Sequence, residues 1–181
     1  MRSLLIGCGN SRVKKVQYQG RAEWSGELTT MDMDPNCGAD IVFDLSRLCI
    51  PMSDRLHGVR ALPFEDNTFD ELAAYDVLEH FGKQGDWRSW FTEMAEFHRI
   101  LKPGGTFGIV VPIGADALAD PGHTRFFGAN HFHMLDQQWY ADRLAEGHPV
   151  SDYRWYWTLC FKVRHLENVG GHHLAVVLEK A

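Results

Sequence analysis

Leu4-Leu5-Ile6-Gly7-Cys8-Gly9-Asn10-Ser11 carries a short apolar run straight into a Gly-x-Gly turn. Gly7 and Gly9 have no Cβ, so the backbone there can turn sharply and come close to a bound molecule. In open α/β sheets a ligand sits outside the carboxyl ends of the strands, near the point where strand order reverses. Taken alone, a strand followed by Gly-x-Gly reads equally well as a flexible turn. Its weight comes from the stretches downstream, which stand at set distances from it.

Leu28-Thr29-Thr30-Met31-Asp32-Met33-Asp34-Pro35 reads as a second strand whose end delivers Asp32. An acidic residue about 20 residues beyond the glycines can accept hydrogen bonds from both hydroxyls of a ribose. Asp34 competes for that part, although its place just before Pro35 suits a turn. Asp40-Ile41-Val42-Phe43-Asp44-Leu45 is another apolar run with a carboxylate at its C-terminal end. Leu62-Pro63-Phe64-Glu65-Asp66-Asn67-Thr68-Phe69-Asp70 then leads into Glu71-Leu72-Ala73-Ala74-Tyr75-Asp76-Val77-Leu78-Glu79-His80-Phe81. Arg99-Ile100-Leu101-Lys102-Pro103-Gly104-Gly105 precedes a strand from Thr106 to Val111.

In that order these stretches resemble the class I S-adenosylmethionine-dependent methyltransferases, and within them the small single-domain, type 11-like group. The resemblance runs from Leu4 to about Arg125. It implies an α/β fold: a Rossmann-like, doubly wound, mostly parallel sheet with an antiparallel C-terminal strand inserted between its neighbours. It implies one domain over residues 1–181, S-adenosylmethionine as cofactor and methyl transfer as the activity. The cofactor-binding positions it implies are Gly7, Cys8 and Gly9 in the turn, Asp32 on the ribose and Met33 against the adenine edge. Asp44 would accept from the exocyclic adenine amine and Leu45 would donate its backbone N–H to a ring nitrogen. Tyr75 would line the cleft near the methionine moiety, although it reads equally as a buried aromatic at a strand end. Ser11 stands where the third glycine of Gly-x-Gly-x-Gly belongs, which leaves the path of the cofactor loop open. Arg12 occupies the last position of the nicotinamide fingerprint, which argues against a dehydrogenase.

The chain has 181 residues, suited to one compact domain, and 45% of them are hydrophobic, enough for a sizeable core. A formal net charge of -6 speaks against a life on nucleic acid, whose binders show a basic face. Arg12, Lys14 and Lys15 form the notable basic cluster. Cys8, Cys37, Cys49 and Cys160 have no CxxC spacing and do not suggest a disulfide scaffold. With no signal pattern and no membrane-length apolar run, a reducing cytoplasm is the expected compartment. Nothing in the sequence sets an oligomeric state.

Strand one, about Ser3 to Ile6, begins almost at the first residue, so no substantial N-terminal cap over the cleft is expected. From Arg12 to Gly26 a short helix or an irregular loop fits equally. Arg47 to Gly58 reads as loop with a short helical turn broken by Pro51, and Leu72 to Tyr75 as strand four. Asp86 to Leu101 is the clearest helix: Asp86 can cap it, and Trp87, Trp90, Phe91, Met94, Phe97, His98 and Leu101 repeat at helical spacing as a core stripe. Ile113 to Ala129 reads as a long polar loop, and a helix is expected near Leu135 to Ala145. Tyr156 to His165 and His173 to Leu178 read as a closing hairpin with an antiparallel edge strand.

Two stretches suit the methyl acceptor. Glu79-His80 follow strand four, and imidazole titrates in the range a general base needs near neutral pH. The alternative is that His80 packs structurally. Asp120-Pro121-Gly122-His123-Thr124-Arg125 joins His123 with an Arg125 that can fork onto an anionic or hydroxylated acceptor, unless the loop is simply tied by its own Asp–Arg pair. His80, His123 and Arg125 are therefore the catalytic candidates. His131, His133, His172 and His173 lack partners at recognised metal spacing, and no metal is expected. Tyr153, Trp155, Tyr156 and Trp157 suit edge-strand packing better than a partner platform. The acceptor expected is a hydroxyl, or secondarily an amine, of a small molecule or sugar. Methylation of nucleic acid or protein, and a non-catalytic cofactor-binding module, are the alternatives. No Asn/Asp-Pro-Pro-aromatic motif follows strand four, and no Pro-Cys dipeptide supplies a cytosine-attacking thiol.

Overall fold

The computed structural model describes residues 1–24, 26–49 and 62–181. A sheet of seven strands runs in the order β3-β2-β1-β4-β5-β7-β6. The strands are β1 (Arg2–Ile6), β2 (Glu27–Asp32), β3 (Ile41–Val42), β4 (Phe69–Tyr75), β5 (Leu101–Pro112), β6 (Phe161–Val169) and β7 (His173–Lys180). β1 to β5 pair in parallel, while β7 runs antiparallel to both β5 and β6. The antiparallel strand thus sits inside the sheet and β6 forms the edge, as the family resemblance implies and the bare hairpin reading does not.

Alternation along the strands divides the core in two, because successive side chains point to opposite faces. Leu4, Ile6, Leu72 and Ala74 belong to one cluster, and Leu5, Ala73 and Tyr75 to the other. The first face is covered by α1 (Trp87–Ile100), whose Trp90, Phe91, Met94 and Phe97 are buried. Asp86 caps α1, accepting from the Ser89 N–H. The opposite face is covered by the segment after β1, where the chain forms only a short 3-10 turn, Tyr18–Gly20. Here Val16 packs against Tyr75, Trp24 Nε1 donates to Arg12 O at 2.7 Å, and a buried ion pair joins Lys14 to Glu71.

Several boundaries differ from expectation. The polar loop after β5 contains a helix, α2 (Gly114–Ala119), which is too short to show a period. α3 (Ala129–His133) is likewise a single turn, and α4 (Gln137–Ala145) begins behind an Asp136 cap. Tyr156 to Cys160 is loop rather than strand, because Gln137 Nε2 donates to the carbonyls of Trp157 and Leu159, both at 2.7 Å. Tyr153 and Tyr156 pack around Trp87 on α1, while Trp157 is buried. Most of the loop expected between Arg47 and Gly58 lies outside the described residues, apart from a 3-10 turn, Leu45–Cys49. Among the described residues no helix is long and apolar enough to cross a membrane.

Candidate active site

Parallel pairing brings the carboxyl ends of β1, β2, β3 and β4 to one edge of the sheet. There the chain closes a cleft of ≈ 390 Å³ lined by Gly7, Gly9, Asp32, Met33, Asp44, Leu45 and His80 among others. The turn after β1 is tied to β2 by the N–H groups of Gly7 and Cys8, both donating to Met31 O. Gly7 sits at φ +63, and a Cβ there would collide with the Val77 side chain, so only glycine allows the turn to rest against the chain leaving β4. Gly9 meets nothing: a Cβ would point into open space, so its need is conformational, at φ +47.

Asp32 orders this turn as well as lining the cleft. Its carboxylate accepts from Gly9 N at 2.7 Å and from Asp34 N at 2.9 Å. Asp34 caps its own turn, accepting from Asn36 N, and does not line the cleft. Met33 offers an apolar rim that is 68% exposed. Hydrogen bonds from Ser46, and then the Arg47 guanidinium, hold the Asp44 carboxyl below the usual carboxylate range. Asp44 is therefore an acceptor at neutral pH.

Cys8 and Tyr75 lie across the glycine turn from this cleft. They border a second hollow of ≈ 260 Å³ that shares Gly7, Gly9 and Asp76 with the first. Tyr75 faces away from α1, on the side of Leu5, and its hydroxyl meets Val16 N at 3.4 Å. Burial pushes this phenol up to about 12. The expected basic cluster is consumed here too. Arg12 donates to the carbonyls of Gly9 and Gly38, and Lys14 and Lys15 pair with Glu71 and Asp76. It offers no free patch for phosphates.

At the acceptor end the loop after α2 is stitched to the chain after β4. Thr124 N donates to Glu79 O at 2.8 Å, Gln84 N to Thr124 O at 3.0 Å, and Phe126 N to Gln84 Oε1 at 2.7 Å. This brings His123 onto His80, with ring centroids 4.7 Å apart and the planes at 71°. His80 is exposed at the cleft, whereas the His123 side chain is 9% exposed. His123 Nδ1 lies 2.9 Å from Ala117 O, which can only accept, so that nitrogen carries a hydrogen, and in the neutral form of the ring Nε2 carries the lone pair. Glu79, unremarked as a site residue in the sequence, is buried beneath them with Oε1 3.9 Å from His123 Nε2. Burial pushes its carboxyl up to about 7, with the Asp76 charge adding to the rise.

Arg125 is put to another use. It is buried, and its guanidinium forks onto both carboxylate oxygens of Glu93 on α1. The ring of Trp90 covers it at 5.3 Å. The expected anchor for an acceptor is thus a structural tie, neutralised by a partner 32 residues away that no local pattern announces. The remaining histidines are dispersed. His131 is half-buried beside Gly128, His133 stacks on Trp139, His172 pairs with Asp116 and His173 with Asp76. A third hollow, ≈ 240 Å³, is lined by Lys83, Gln84, Trp87, Trp90, Asn130 and Tyr153 among others, and by Arg125, which lies 6.0 Å from the ring of Phe81.

Known proteins agree with this architecture. No curated protein matches the sequence. Among solved structures, the PH0226 protein of Pyrococcus horikoshii OT3 superposes with a TM-score of 0.57 at 16% identity, over 99% of this chain and 82% of that one. A TehB-like SAM-dependent methyltransferase from Corynebacterium glutamicum gives 0.54 at 17% identity, over 99% and 80%. The N-methyltransferase NodS of Bradyrhizobium japonicum WM9 gives 0.54 at 13%, over 99% and 85%. The model of the family described as "Methyltransferase domain" matches residues 4–109, from the strand before the glycine turn to the middle of β5. The chain belongs to that family and is an S-adenosylmethionine-dependent methyltransferase.

Proposed function

We propose that this enzyme methylates a hydroxyl, or secondarily an amine, of a small molecule or sugar, and that His80 takes the acceptor's proton. The observation that carries the reading is that His80, on the wall of the glycine-turn cleft, packs against His123, which in turn faces the buried Glu79.

S-adenosylmethionine, when bound, supplies a methyl group on a positively charged sulfur. The cleft suits it on three counts: an acidic residue at the end of β2, an exposed apolar rim at Met33, and a turn at Gly7 where a Cβ has no room. We assign Asp32 to the ribose, Met33, Asp44 and Leu45 to the adenine, and Gly7, Cys8, Gly9 and Tyr75 to the methionine end, in the hollow behind the turn. His80 stands at the rim, in solvent and free of the core, where an acceptor reaches it. His123 packs its ring against His80 and is fixed in turn by Ala117 O. That arrangement is the orientation of a base by a second group.

The third hollow supports a small acceptor. Its mix of indole and phenol faces with Lys83, Gln84 and Asn130 matches a hydroxylated ring, and ≈ 240 Å³ holds little more than one. The net charge of -6 and the consumed basic cluster argue against nucleic acid.

The test is release of S-adenosylhomocysteine over a panel of hydroxylated and amino small molecules, followed by kinetics on the best substrate. His80→Ala is expected to lower kcat by about 10²–10⁴ and leave S-adenosylhomocysteine affinity unchanged. A folded His80→Ala enzyme with wild-type kcat contradicts the assignment of the base.

A further inference from the structure

We infer that Glu79, His80 and His123 hold one divalent transition-metal cation, and that this cation presents the acceptor's oxygen to the methyl group. The inference rests on the reading of this cluster as the acceptor end of the site.

One ligand atom from each of the three residues lies within 4.8 Å of the others, close enough to share an ion. Two features point the cluster at a cation rather than at itself. Glu79 Oε2 is buried and has no hydrogen-bond partner among the described residues. An orphan acceptor of that kind costs stability unless something enters to satisfy it. The second feature is the orientation of His123. Its Nδ1–H is spent on Ala117 O, which fixes the tautomer and leaves the Nε2 lone pair facing carboxylates on two sides, 3.9 Å from both Glu79 and Asp120. A metal-binding histidine is held in just this way, with its other ring nitrogen donating to a backbone carbonyl.

Asp120 is also near His80. A Cβ built on Gly122 would lie 3.1 Å from Asp120 Oδ1 and 3.4 Å from His80 Nδ1, so the glycine lets this loop come down on the histidine. The donor set of two imidazoles and one or two carboxylates suits Mn²⁺, Fe²⁺, Co²⁺ or Zn²⁺ over Mg²⁺ and Ca²⁺, which prefer oxygen alone. Three protein ligands leave positions open, and the open side is the one His80 shares with the cleft. While the cation is bound His80 is a ligand in place of the base: its lone pair is on the cation, and an acceptor hydroxyl in the open position becomes more acidic and gives its proton to solvent. Among the described residues, the other cluster with ligand spacing, Cys8, Asp32 and Cys37, belongs to the cofactor turn, where Asp32 is bonded to Gly9 and Asp34.

The experiment is a Co²⁺ titration of the intact, metal-stripped chain, read by calorimetry and by the visible spectrum of the bound ion. One equivalent is expected to bind, with His80→Ala and His123→Ala each weakening it at least tenfold. His172→Ala, on the pair with Asp116, is expected to bind as the wild type does. His80 is exposed, so its replacement removes a ligand without disturbing the core, whatever the fate of variants at Glu79 or His123. Absence of saturable one-equivalent binding overturns the inference, as does wild-type affinity in both His80→Ala and His123→Ala. A protein that binds no Co²⁺ yet loses turnover in His80→Ala keeps His80 as the base and rejects the cation.

Discussion

Arg125 shows how much a single side chain's meaning depends on its partner. In the sequence it is a cation two residues from a histidine, in a loop that suits an anionic ligand. In the fold it is buried on Glu93, and Gly82 makes the space: at its φ of +78, a Cβ would run into the Arg125 guanidinium. Removing one member of a buried pair leaves the other charged and unsolvated, a loss of about 3–5 kcal/mol. Arg125→Ala is therefore expected to lower Tm sharply and to shift the denaturant midpoint, with Gly82→Ala doing the same by crowding the guanidinium. A folded Arg125→Ala protein of wild-type stability would contradict this. His80 and His123 are legible as a pair in the sequence, because both come after strands that end on the same edge of the sheet. Glu79 is not, since a carboxylate beside a histidine shows its burial only once Thr124 and Arg125 close over its carbonyl.

At the level of elements, legibility in the sequence depends on length. α1 has 14 residues, enough turns for its stripe and its Asp86 cap to stand out, and both are where the spacing puts them. α2 has six residues and α3 five, too few for a period to appear. Tyr75 is readable as a strand end, but its face depends on the pairing of Ile6 with Ala74, which puts Tyr75 on the opposite side from Ala74. α1 also carries a titration of its own. His98 packs against Trp157 and Phe161, with a buried Nε2 that has no partner among the described residues. Burial, and then the charge of Lys180, push its pKa down to about 4 from 6.5. Between those values the unfolded chain binds a proton that the folded chain refuses, so stability falls as the pH drops through this window. The slope from one such group is at most about 1.4 kcal/mol per pH unit. Urea unfolding across this pH range is expected to show a flatter acid limb for His98→Leu than for the wild type. Equal slopes would mean that His98 is protonated in the fold.

Across the whole molecule, the strand order places the ends of β1 and β4 side by side, with β2 and β3 to one side and β5 to the other. The glycine turn, Asp32, Asp44 and His80 come from four separate stretches and meet only because that order holds. Among the described residues, one face has a single long helix and the other an irregular segment in place of one. Arg12 and Trp24 do there with side-chain bonds what a helix would do by packing. The irregular segment begins at Ser11, where the family's usual third glycine is missing. We propose that this assembled cleft binds the cofactor through Asp32. The test is calorimetric titration with S-adenosylhomocysteine, on the wild type and on Asp32→Ala beside it. The wild type is expected to bind one equivalent. Asp32→Ala, with a folded-protein melting curve, is expected to bind at least tenfold more weakly, because hydrogen bonds to a charged group are worth about 1.5–3 kcal/mol. Equal affinity in two folded proteins, or tight binding of NAD with none of S-adenosylhomocysteine, would contradict it.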